Sequence, residues 1–439
     1  MNDEWYGSSL SPAVRDGISK GLERADEKRL IRRTMPTTPI IGALPPTTTT
    51  RTTVTLSCPS SRATPGEHVT IEEVFDAYYD CREHKRSKRS SVQYEMNYEL
   101  SNLGLWRELN DMTYRPGRSI GFCVTTPKLR EVFAADFRDR VVHHLLIRRI
   151  EFAVETMLTD AACACRKGKG TLYAVHRLTD MMKATPDGWY VRCDIRGFFM
   201  SIDKAILLGI VRDIVHKACP TDTAWWLWLA ETIVLHRPEA DCELHGDTSL
   251  WNLLPDDKTL FRTGGRGLPI GNLPSQVLAN AYLAAFDEWA IKRLGSEMRY
   301  IRYADDIVMV HPDKHYLLEV LRTSREWLRD NRHLTIHPRK ICIQQVRRGV
   351  RFVGHFIKGG VIHTGKRQRE NSLALTNSWG RRGSHTHEER LRLMSRYNSY
   401  CGLLRHTASW RIRRKMWRTL LDYSAITNIN MNKIKIRKL

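Results

Sequence analysis

Long hydrophobic runs are missing from this chain of 439 residues. No run of about 18 apolar residues occurs, which is the length that a membrane-spanning helix needs, so we expect no membrane partner. Residues 1–5 are acidic and polar, whereas a secretory signal has a basic start followed by an apolar stretch. Both absences favour a cytoplasmic protein.

Paired cysteine motifs are also missing. Of the ten cysteines, Cys163 and Cys165 form the one closely spaced pair. Structural zinc sites usually combine two halves of the Cys-x₂₋₄-Cys kind, so a pair with one-residue spacing and no second half argues against zinc. We therefore expect reduced, mostly buried thiols, as in cytosolic proteins.

Acidic residues are too few to balance the basic ones. The sequence has 70 Lys and Arg against 48 Asp and Glu, a formal charge of +22, and its pI is about 9.7. Such an excess attracts polyanions. Nucleic acid is the first candidate, because Lys and Arg contacts to phosphates release counterions. A soluble protein that is merely basic is the alternative at this point.

Apolar patterning is sparse before residue 65. Residues 35–39 and 45–50 are rich in Pro and Thr, and such segments cannot bury enough apolar surface to offset the loss of chain entropy. The sequence therefore predicts a flexible tail over residues 1–69, with a short helix within residues 14–32.

The rest of the chain carries regular patterns. Residues 71–109 show helical spacing, and the basic run at residues 85–89 is either a solvated face or an RNA-facing patch. Short strand patterns then alternate with helical ones over residues 114–356. The elements that these patterns predict are helices at 132–149 and 276–294, a strand at 189–195, a strand–turn–strand unit at 299–310, and basic helices at 388–424.

Two segments supply acids in a pattern suited to phosphoryl transfer. Asp194 ends the predicted strand, and Asp305 and Asp306 lie in a turn between two apolar runs. Strand neighbours point to opposite faces, but a tight turn can aim both carboxylates at one cavity. Such oxygens can hold two Mg²⁺ or Mn²⁺ ions, which activate an attacking hydroxyl and stabilise a leaving pyrophosphate. An adjacent Asp pair alone would more simply be a solvated turn.

These acids stand in motifs that resemble those of a known family. Residues 303–306 read Tyr-Ala-Asp-Asp and resemble the catalytic box of reverse transcriptases, and residues 194–199 read Asp-Ile-Arg-Gly-Phe-Phe and resemble their first catalytic motif. The metal ligands that the resemblance implies are the side chains of Asp194, Asp305 and Asp306 and the backbone carbonyl of Ile195.

The aromatic pair after Asp194 is also given a role by the resemblance. Phe199 would be the bulky residue beneath the sugar that rejects a 2′ hydroxyl. One of Phe198 and Phe199 should be a core residue, because aromatic pairs usually pack inward. The resemblance favours Phe199 as the gate.

A third box, residues 267–276, reads Gly-Leu-Pro-Ile-Gly-Asn-Leu-Pro-Ser-Gln before a predicted helix. Glycine lets the backbone approach a ligand closely, and a loop that opens a helix suits a nucleotide, although an ordinary turn has the same pattern. We expect Ile270, Gly271 and Gln276 to bind the nucleotide.

The same box narrows the resemblance to one group. Most reverse transcriptases carry Gln in place of Ile270, and the form found here is similar to that of reverse transcriptases of diversity-generating retroelements. Residues 130–144, 258–261 and 397–406 also resemble that group. The match covers about residues 70–425.

Basic and hairpin residues complete the expected site. Arg130 and Arg166 lie in two basic segments, and their guanidinium groups would clamp the triphosphate of an incoming nucleotide; generic contact with an RNA backbone is the alternative. Lys340 matches the position of a basic residue near the leaving pyrophosphate, where it would act as a general acid or as a simple charge. Phe352 and Gly354 belong to a segment that resembles the hairpin that grips the primer.

The resemblance implies an α+β fold, a right-hand polymerase. The palm would be an antiparallel sheet plus helices, and the thumb would be helical, with basic and aromatic residues at 410–418 suited to the minor groove of an RNA–DNA duplex. The expected divisions are a flexible tail at 1–69, fingers at 70–188, a palm at 189–370, a thumb at 371–425 and a basic C-terminal tail at 426–439.

The implied function is RNA-directed DNA synthesis, error-prone at template adenines, in a diversity-generating retroelement. The implied partners are template RNA, the RNA–DNA duplex, deoxynucleoside triphosphates and a small basic accessory protein that forms an oligomer. The alternatives are an antiviral-defence enzyme that makes cDNA without mutagenic homing, and a basic RNA-binding protein built on an inactive polymerase. The tail at residues 1–69 and Ala304, where Met or Val is also common, depart from the pattern of the group.

Overall fold

A computed structural model of the chain describes residues 67–83, 89–380, 386–419, 425–427, 431 and 433–436. The helix expected within residues 14–32 and most of the expected N-terminal tail lie outside these ranges, as do residues 85–88 of the basic run. None of the helices within them is both long and apolar enough to cross a bilayer.

Helices make up most of the regular structure in these ranges. They are α1 (Ile71–Arg82), α2 (Arg89–Glu95), α3 (Tyr98–Asn110), α4 (Phe137–Met157), α5 (Thr171–Ala184), α6 (Phe198–Ser201), α7 (Lys204–Ala218), α8 (Thr223–Leu235), α9 (Leu273–Leu294), α10 (Lys314–Arg332), α11 (Lys366–Gly380), α12 (His387–Leu404) and α13 (Trp410–Arg418). Short 3₁₀ helices occur at Thr248–Leu253, Asp256–Lys258, Leu260–Arg262, Glu297–Arg299, Pro338–Lys340 and Val346–Arg348.

The strands are short and form four small sheets. They are β1 (Ser119–Val124), β2 (Arg130–Ala134), β3 (Trp189–Asp194), β4 (Cys242–His245), β5 (Tyr300–Tyr303), β6 (Asp306–His311), β7 (Cys342–Gln345), β8 (Val350–Phe352), β9 (His355–Lys358), β10 (Val361–Thr364), β11 (Ala425–Thr427) and β12 (Ile434–Ile436). The sheet orders are β2-β1-β4, β5-β6-β3-β7, β10-β9-β8 and β11-β12.

The sheet β5-β6-β3-β7 is antiparallel throughout, and its strands come from residues 189–345, in the middle of the sequence. Its strands alternate between two cores because successive side chains in a strand point to opposite faces. Val191 and Ile307 join the large core made with α4, α7, α8, α9 and α10. Tyr190 and Val308 join a second core with α5 and the β8–β9 hairpin. The predicted strand at 189–195 and the strand–turn–strand unit at 299–310 are confirmed, within one or two residues.

The predicted helix at 132–149 is wrong at its start. Val132 and Phe133 belong to β2, which pairs antiparallel with β1, and the helix begins at Phe137 after Asp136, whose carboxylate accepts from the Arg138 backbone N–H. The pairing partner lies about ten residues earlier in the chain, so helical spacing over a local window could not reveal it. The N-cap aspartate is the local signal that separates the two elements.

The C-terminal part has a core of its own. Helices α11, α12 and α13 bury Leu375, Leu393, Tyr397 and Met416 against one another, which agrees with the expected basic helices at 388–424. Residues 426–439 were expected to be a tail, but β11 and β12 form an antiparallel pair there. The described architecture is α+β, as predicted.

Each of the nine described cysteines is a free thiol, and five are buried, including Cys163 and Cys193. Cys165 is exposed whereas Cys163 is buried, so the two members of this closely spaced pair lie in different environments. The expected reduced thiols are therefore found in the described part of the chain.

Candidate active site

Asp305, one of the three predicted acids, lies in a two-residue hairpin loop between β5 and β6. Tyr303 and Asp306 are cross-strand partners in the β5–β6 pair, so Ala304 and Asp305 form the loop between them. Ala304 has a φ of +53°, a conformation that is usually taken by glycine in such loops and that costs an L-residue roughly 1–2 kcal/mol. A hydrogen bond joins this loop to the residue after β3: the backbone N–H of Ile195 donates to the Asp305 carbonyl at 3.2 Å.

Asp194 lies on the strand next to the one that carries Asp306. Asp194 and Asp306 are partners in the antiparallel β3–β6 register, and directly opposite residues in such a pair have Cα atoms about 4.5–5.5 Å apart on the same face. Since Asp306 and Val308 are two residues apart, both carboxylates point to the face that carries Tyr190 and Val308. The fold thus brings Asp194 next to two acids from a distant part of the sequence, at the point where β3 ends and β6 begins.

A buried ion pair between β5 and helix α9 supports this hairpin. Arg302 and Asp287 are both fully buried and their side chains meet at 2.6 Å. Arg302 also donates to the Ala304 carbonyl at 3.2 Å, and the Tyr300 hydroxyl donates to Asp287 at 2.7 Å. Sequence reasoning missed this pair. The available signals were a lone Arg in an apolar strand and a lone Asp in an apolar helix, since buried charges are normally paired.

Burial and neighbouring negative charge raise the pKa values of the two hairpin carboxylates, Asp305 and Asp306. Burial, followed by the charge of Asp194, raises the pKa of Asp305. Burial, followed by the charges of Asp305 and Asp194, raises the pKa of Asp306 to about 6. Nearby Lys258, Arg192 and Lys340 act in the opposite direction. The cluster has an excess of negative charge that a bound cation would relieve.

Lys340 lies against the acids. Its Nζ is 2.7 Å from Asp194 Oδ1, at the end of the 3₁₀ helix Pro338–Lys340. The preceding His337 donates its backbone N–H to the Asp194 carbonyl at 2.7 Å, which fixes this segment beside β3. Lys340 is therefore the counter-ion of Asp194 in this structure.

The donor set suits hard divalent cations. Among the described residues, no group of three or more His, Cys, Asp or Glu side chains is arranged as a ready metal site. The raised pKa values of Asp305 and Asp306 nevertheless show carboxylates that lack sufficient compensating charge, and carboxylate oxygens are the ligands that Mg²⁺ prefers. The side chain of Ile195 is buried, so its backbone carbonyl is the part of it that could reach an ion.

The residues after Asp194 turn sharply towards a neighbouring segment. Gly197 has a φ of +55°, and a Cβ there would lie 2.6 Å from the Asp257 carbonyl. Phe198 is buried in the large core, whereas Phe199 is half-buried at its edge. Phe199 is thus the one of the pair with a face available to a ligand, and its carbonyl accepts from the Leu268 backbone N–H at 2.8 Å.

The glycine-rich loop packs against β2 of the β1–β2 hairpin. Phe133 donates its backbone N–H to the Ile270 carbonyl at 3.0 Å. Gly271 has a φ of +120°, and a Cβ there would lie 2.9 Å from Val132 Cγ1, so glycine is needed for this close approach. Ile270 is half-buried against Phe133, and Gln276 is exposed in the first turn of α9.

The two arginines expected at the triphosphate differ in their surroundings. Arg130 is exposed at the start of β2. Arg166 is engaged within the protein: its Nη2 lies 2.7 Å from Glu155, and its Nη1 donates to the carbonyls of Thr159 and Ala162. The geometry makes Arg166 a brace for the loop after α4, because its guanidinium donors are already used locally and only 6% of its side chain is exposed.

The expected primer-grip residues lie in the β8–β9 hairpin. Phe352 is buried in the second core, so its ring anchors the hairpin and does not face a ligand. Gly354 is exposed in the two-residue loop and has a φ of +84°. The backbone of this loop, rather than the Phe352 side chain, is the part available to a primer.

A buried carboxylate that sequence reasoning missed joins β2 to the segment before the glycine-rich loop. Glu131 is almost fully buried. It accepts hydrogen bonds from Trp251 Nε1 at 2.6 Å, from the Thr259 hydroxyl at 2.7 Å and from the Leu260 backbone N–H at 2.8 Å. The sequence around Glu131 does not indicate these hydrogen bonds, because all three donors lie about 120–130 residues away in the chain.

Comparisons with known proteins agree with this geometry. The family model described as reverse transcriptase (RNA-dependent DNA polymerase) matches residues 125–357. Protein YkfC of Escherichia coli (strain K12) is 22% identical over 275 residues, which are 55% of this chain and 66% of that protein.

Two solved telomerase structures are also similar. A telomerase from Candida albicans in complex with the TWJ fragment of telomeric RNA aligns with a TM-score of 0.41 and 8% identity, over 71% of this chain and 63% of that one. An apo telomerase from Candida tropicalis, truncated from its C-terminal domain, aligns with a TM-score of 0.40 and 9% identity, over 57% of this chain and 55% of that one. The chain thus spans less than two thirds of each of these relatives.

The family match includes Asp194, Asp305, Asp306 and Lys340, all of which the fold brings together. The α+β architecture around them is that of a right-hand polymerase, as the sequence predicted. Since the family model covers more than half of the sequence, the chain belongs to the reverse transcriptase (RNA-dependent DNA polymerase) family.

Proposed function

We propose that this protein copies a template RNA into DNA by metal-assisted phosphoryl transfer. The observation that carries the proposal is the position of Asp194 opposite Asp306 on one sheet face, with Asp305 at the adjacent hairpin tip. An RNA-binding protein on an inactive polymerase has no need for a cluster in which burial and like charge raise the pKa values of Asp305 and Asp306.

The chain's own residues then have separable roles. Asp194, Asp305, Asp306 and the Ile195 carbonyl would hold two Mg²⁺ or Mn²⁺ ions, which when bound activate the primer 3′ hydroxyl and neutralise the leaving pyrophosphate. Lys340, paired with Asp194 in this structure, would be released if cations took its place. It would then be free to protonate or neutralise the leaving group.

A primer-extension assay tests this function. Purified protein should extend a DNA primer on an RNA template with deoxynucleoside triphosphates and Mg²⁺. Asp305→Ala combined with Asp306→Ala should abolish extension but leave RNA affinity largely unchanged, because basic surfaces supply that affinity. Asp180→Ala, an exposed acid on α5, is the control and should remain active. Robust extension by the double variant would refute the catalytic assignment.

The nucleic-acid partners proposed are template RNA and the RNA–DNA duplex. Helix α13 supports the second, because its exposed face combines Trp410 with Arg411, Arg414 and Arg418. Arg414 lies over the Trp410 ring, 5.0 Å from its centroid. Cationic and aromatic groups interleaved on one exposed face suit the backbone and sugar edges of a duplex.

The finer proposal is an error-prone enzyme of a diversity-generating retroelement, served by a small basic oligomeric accessory protein. Its support is Ile270, which stands where most relatives of the resembled family carry Gln. An amide can hydrogen-bond to the nascent base pair, and losing one such bond costs roughly 0.5–1.5 kcal/mol. About 1.4 kcal/mol changes an error rate tenfold.

Sequencing the cDNA tests this finer proposal. Wild-type cDNA from an adenine-rich template should carry errors concentrated at adenines, and Ile270→Gln should lower them several-fold. The packing of Ile270 against Phe133, Met200 and Leu260 is the competing explanation for an Ile at this position. Equal error spectra in two comparably active enzymes would favour packing. An even spectrum in the wild type would favour the antiviral-defence alternative.

A further inference from the structure

The segment that precedes the glycine-rich loop is fastened at the edge of the active site. It contains the 3₁₀ helices Asp256–Lys258 and Leu260–Arg262. On one side, the buried Glu131 accepts two hydrogen bonds from Thr259 and Leu260 and a third from Trp251. A carboxylate with three donors in a buried setting is a rigid anchor.

On its other side, the segment is fastened to the turn that follows Asp194. Arg196 Nε lies 2.8 Å from Asp257 Oδ2. The Asp257 carbonyl approaches Gly197 so closely that a Cβ there would lie 2.6 Å from it. Residues 256–258 therefore pack directly on the backbone that links Asp194 to Phe199.

Lys258 lies between these two anchors, and its ammonium group is the unpaired positive charge of residues 256–262. Its neighbours are paired: Arg196 with Asp257, and Arg262 with Asp256 at 2.9 Å. Within the described part of the chain, Lys258 forms no such ion pair, and its side chain is half-exposed. Lys258 directly follows Asp257, which is fastened to the turn after Asp194, so the backbone of Lys258 lies beside that turn.

An incoming nucleotide needs more cations than the resembled motifs supply here. The triphosphate is the most highly charged part of the substrate, and Arg166, which was expected to clamp it, is bound to Glu155 and two backbone carbonyls. Arg130 remains exposed on β2, and it is the sequence neighbour of the Glu131 that anchors Lys258.

We infer that Lys258 binds the triphosphate of the incoming deoxynucleotide, together with Arg130, on the side of the site formed by residues 194–199. The inference rests on the polymerase function proposed above. An ammonium on a flexible stem suits this task because it acts as a mobile point charge towards phosphate oxygens. The anchors at Glu131 and Asp257 hold its backbone so that only the side chain has to move.

Steady-state kinetics on a fixed RNA template and DNA primer test the inference. Lys258→Gln should raise the KM for dTTP about tenfold or more, the usual effect of losing a charged hydrogen bond, and should raise the inhibition constant of inorganic pyrophosphate in parallel. The kcat and the Kd for template–primer should change by less than about threefold. Lys258→Arg should recover most of the affinity for dTTP.

Lys292→Gln is the matched control, because Lys292 is an exposed lysine near the end of α9. It removes the same charge and should leave the KM for dTTP unchanged. Thermal denaturation of the Lys258 variants should match the wild type, since the ammonium has no protein partner in the described residues. An unchanged KM for dTTP would overturn the inference. So would a change in template–primer Kd without a change in KM, which would make Lys258 a nucleic-acid contact.

Failure of the polymerase function is distinguishable from failure of this inference. If wild-type protein does not extend a primer, the function proposed above fails. Direct titration of dTTP with Mg²⁺ then still compares wild type with Lys258→Gln. A weaker Kd for the variant supports the triphosphate site, and equal values overturn it.

Discussion

Asp306 is a residue whose buried charge costs the folded protein stability. Burial with Asp305 and Asp194 raises its pKa from 3.8 to about 6, so the folded protein holds this proton more tightly than the unfolded chain does. Stability is therefore lost as pH rises through the window from about 4 to 6, and the cost is fully present above pH 7. That rise in pKa corresponds to about 3 kcal/mol at most.

We therefore predict that Asp306→Asn raises the Tm of the metal-free protein at pH 7.5 by a few degrees. The difference from wild type should shrink as the pH is lowered through 6 towards 4, because the wild-type carboxyl then becomes neutral. Thermal denaturation in EDTA measures this. Added Mg²⁺ should stabilise the wild type more than the variant. A variant that is no more stable than wild type at any pH would contradict this account.

Phe199 is the second residue whose environment makes a prediction. It is half-buried, whereas Phe198 is in the core. Phe199→Ala should open space beside the sugar and raise ribonucleotide use relative to deoxynucleotide use by about tenfold or more, because a steric wall discriminates by excluding the wrong substrate. Primer extension with each nucleotide type measures the ratio. Phe198→Leu is the control and should lower stability without changing sugar selectivity.

At the level of elements, the β5–β6 hairpin depends on a charge buried beneath it. Arg302 is fully buried and pairs with Asp287 from helix α9. Removing one partner of a buried pair leaves an uncompensated charge and costs about 3–5 kcal/mol, whereas replacing both with apolar residues is often neutral. The hairpin position thus depends on a contact between a strand and a helix.

We predict that Asp287→Ala lowers the free energy of unfolding by about 3–5 kcal/mol, measured by urea denaturation. The double variant Asp287→Leu with Arg302→Met should recover much of this loss, because neither charge is then buried alone. Its catalytic hairpin should nevertheless be less well held, since Arg302 also donates to the Ala304 carbonyl. A cost below about 1 kcal/mol for the single variant would show that the pair is not a structural support.

At the level of the whole molecule, charge and shape act together. The net charge of +22 attracts any nucleic acid, but affinity for a duplex should concentrate where cations share an exposed face. Changing Arg411, Arg414 and Arg418 of α13 to Gln together should weaken binding to an RNA–DNA hybrid. The slope of log Kd against log salt should fall by about 0.7–0.9 for each phosphate that the variant no longer neutralises. Binding titrations between 50 and 200 mM salt, roughly the range over which such interactions weaken strongly, measure it.

Helix α10 provides the matched control for this triple change. Arg322, Arg325 and Arg329 are exposed there, and two of them are paired with neighbouring acids, Glu326 and Asp330. Changing these three to Gln removes the same formal charge and should leave the salt slope unchanged. Equal effects of the two triple variants would mean that the protein binds duplexes through its overall charge alone.

The amino-acid sequence by itself determined the local features of this protein. Apolar runs on both sides of residues 304–306 predict a strand–turn–strand unit, because alternation and turn chemistry act over a few residues. The structure narrows the turn to Ala304 and Asp305 and places Asp306 in β6. The predicted strand that ends in Asp194 and the helix before Leu294 follow from equally short-range patterns, whereas the choice of Phe199 over Phe198 as the gate came from the family resemblance.

Only the tertiary structure decided which residues meet. It placed Asp194 opposite Asp306, engaged Arg166 with Glu155, and joined Glu131 to Thr259 across more than 100 residues. It also made residues 130–134 a strand, because β1 was available to pair with them. Local periodicity cannot report such contacts, since the free energy of a buried pair or a strand ladder depends on a partner that is distant in the chain.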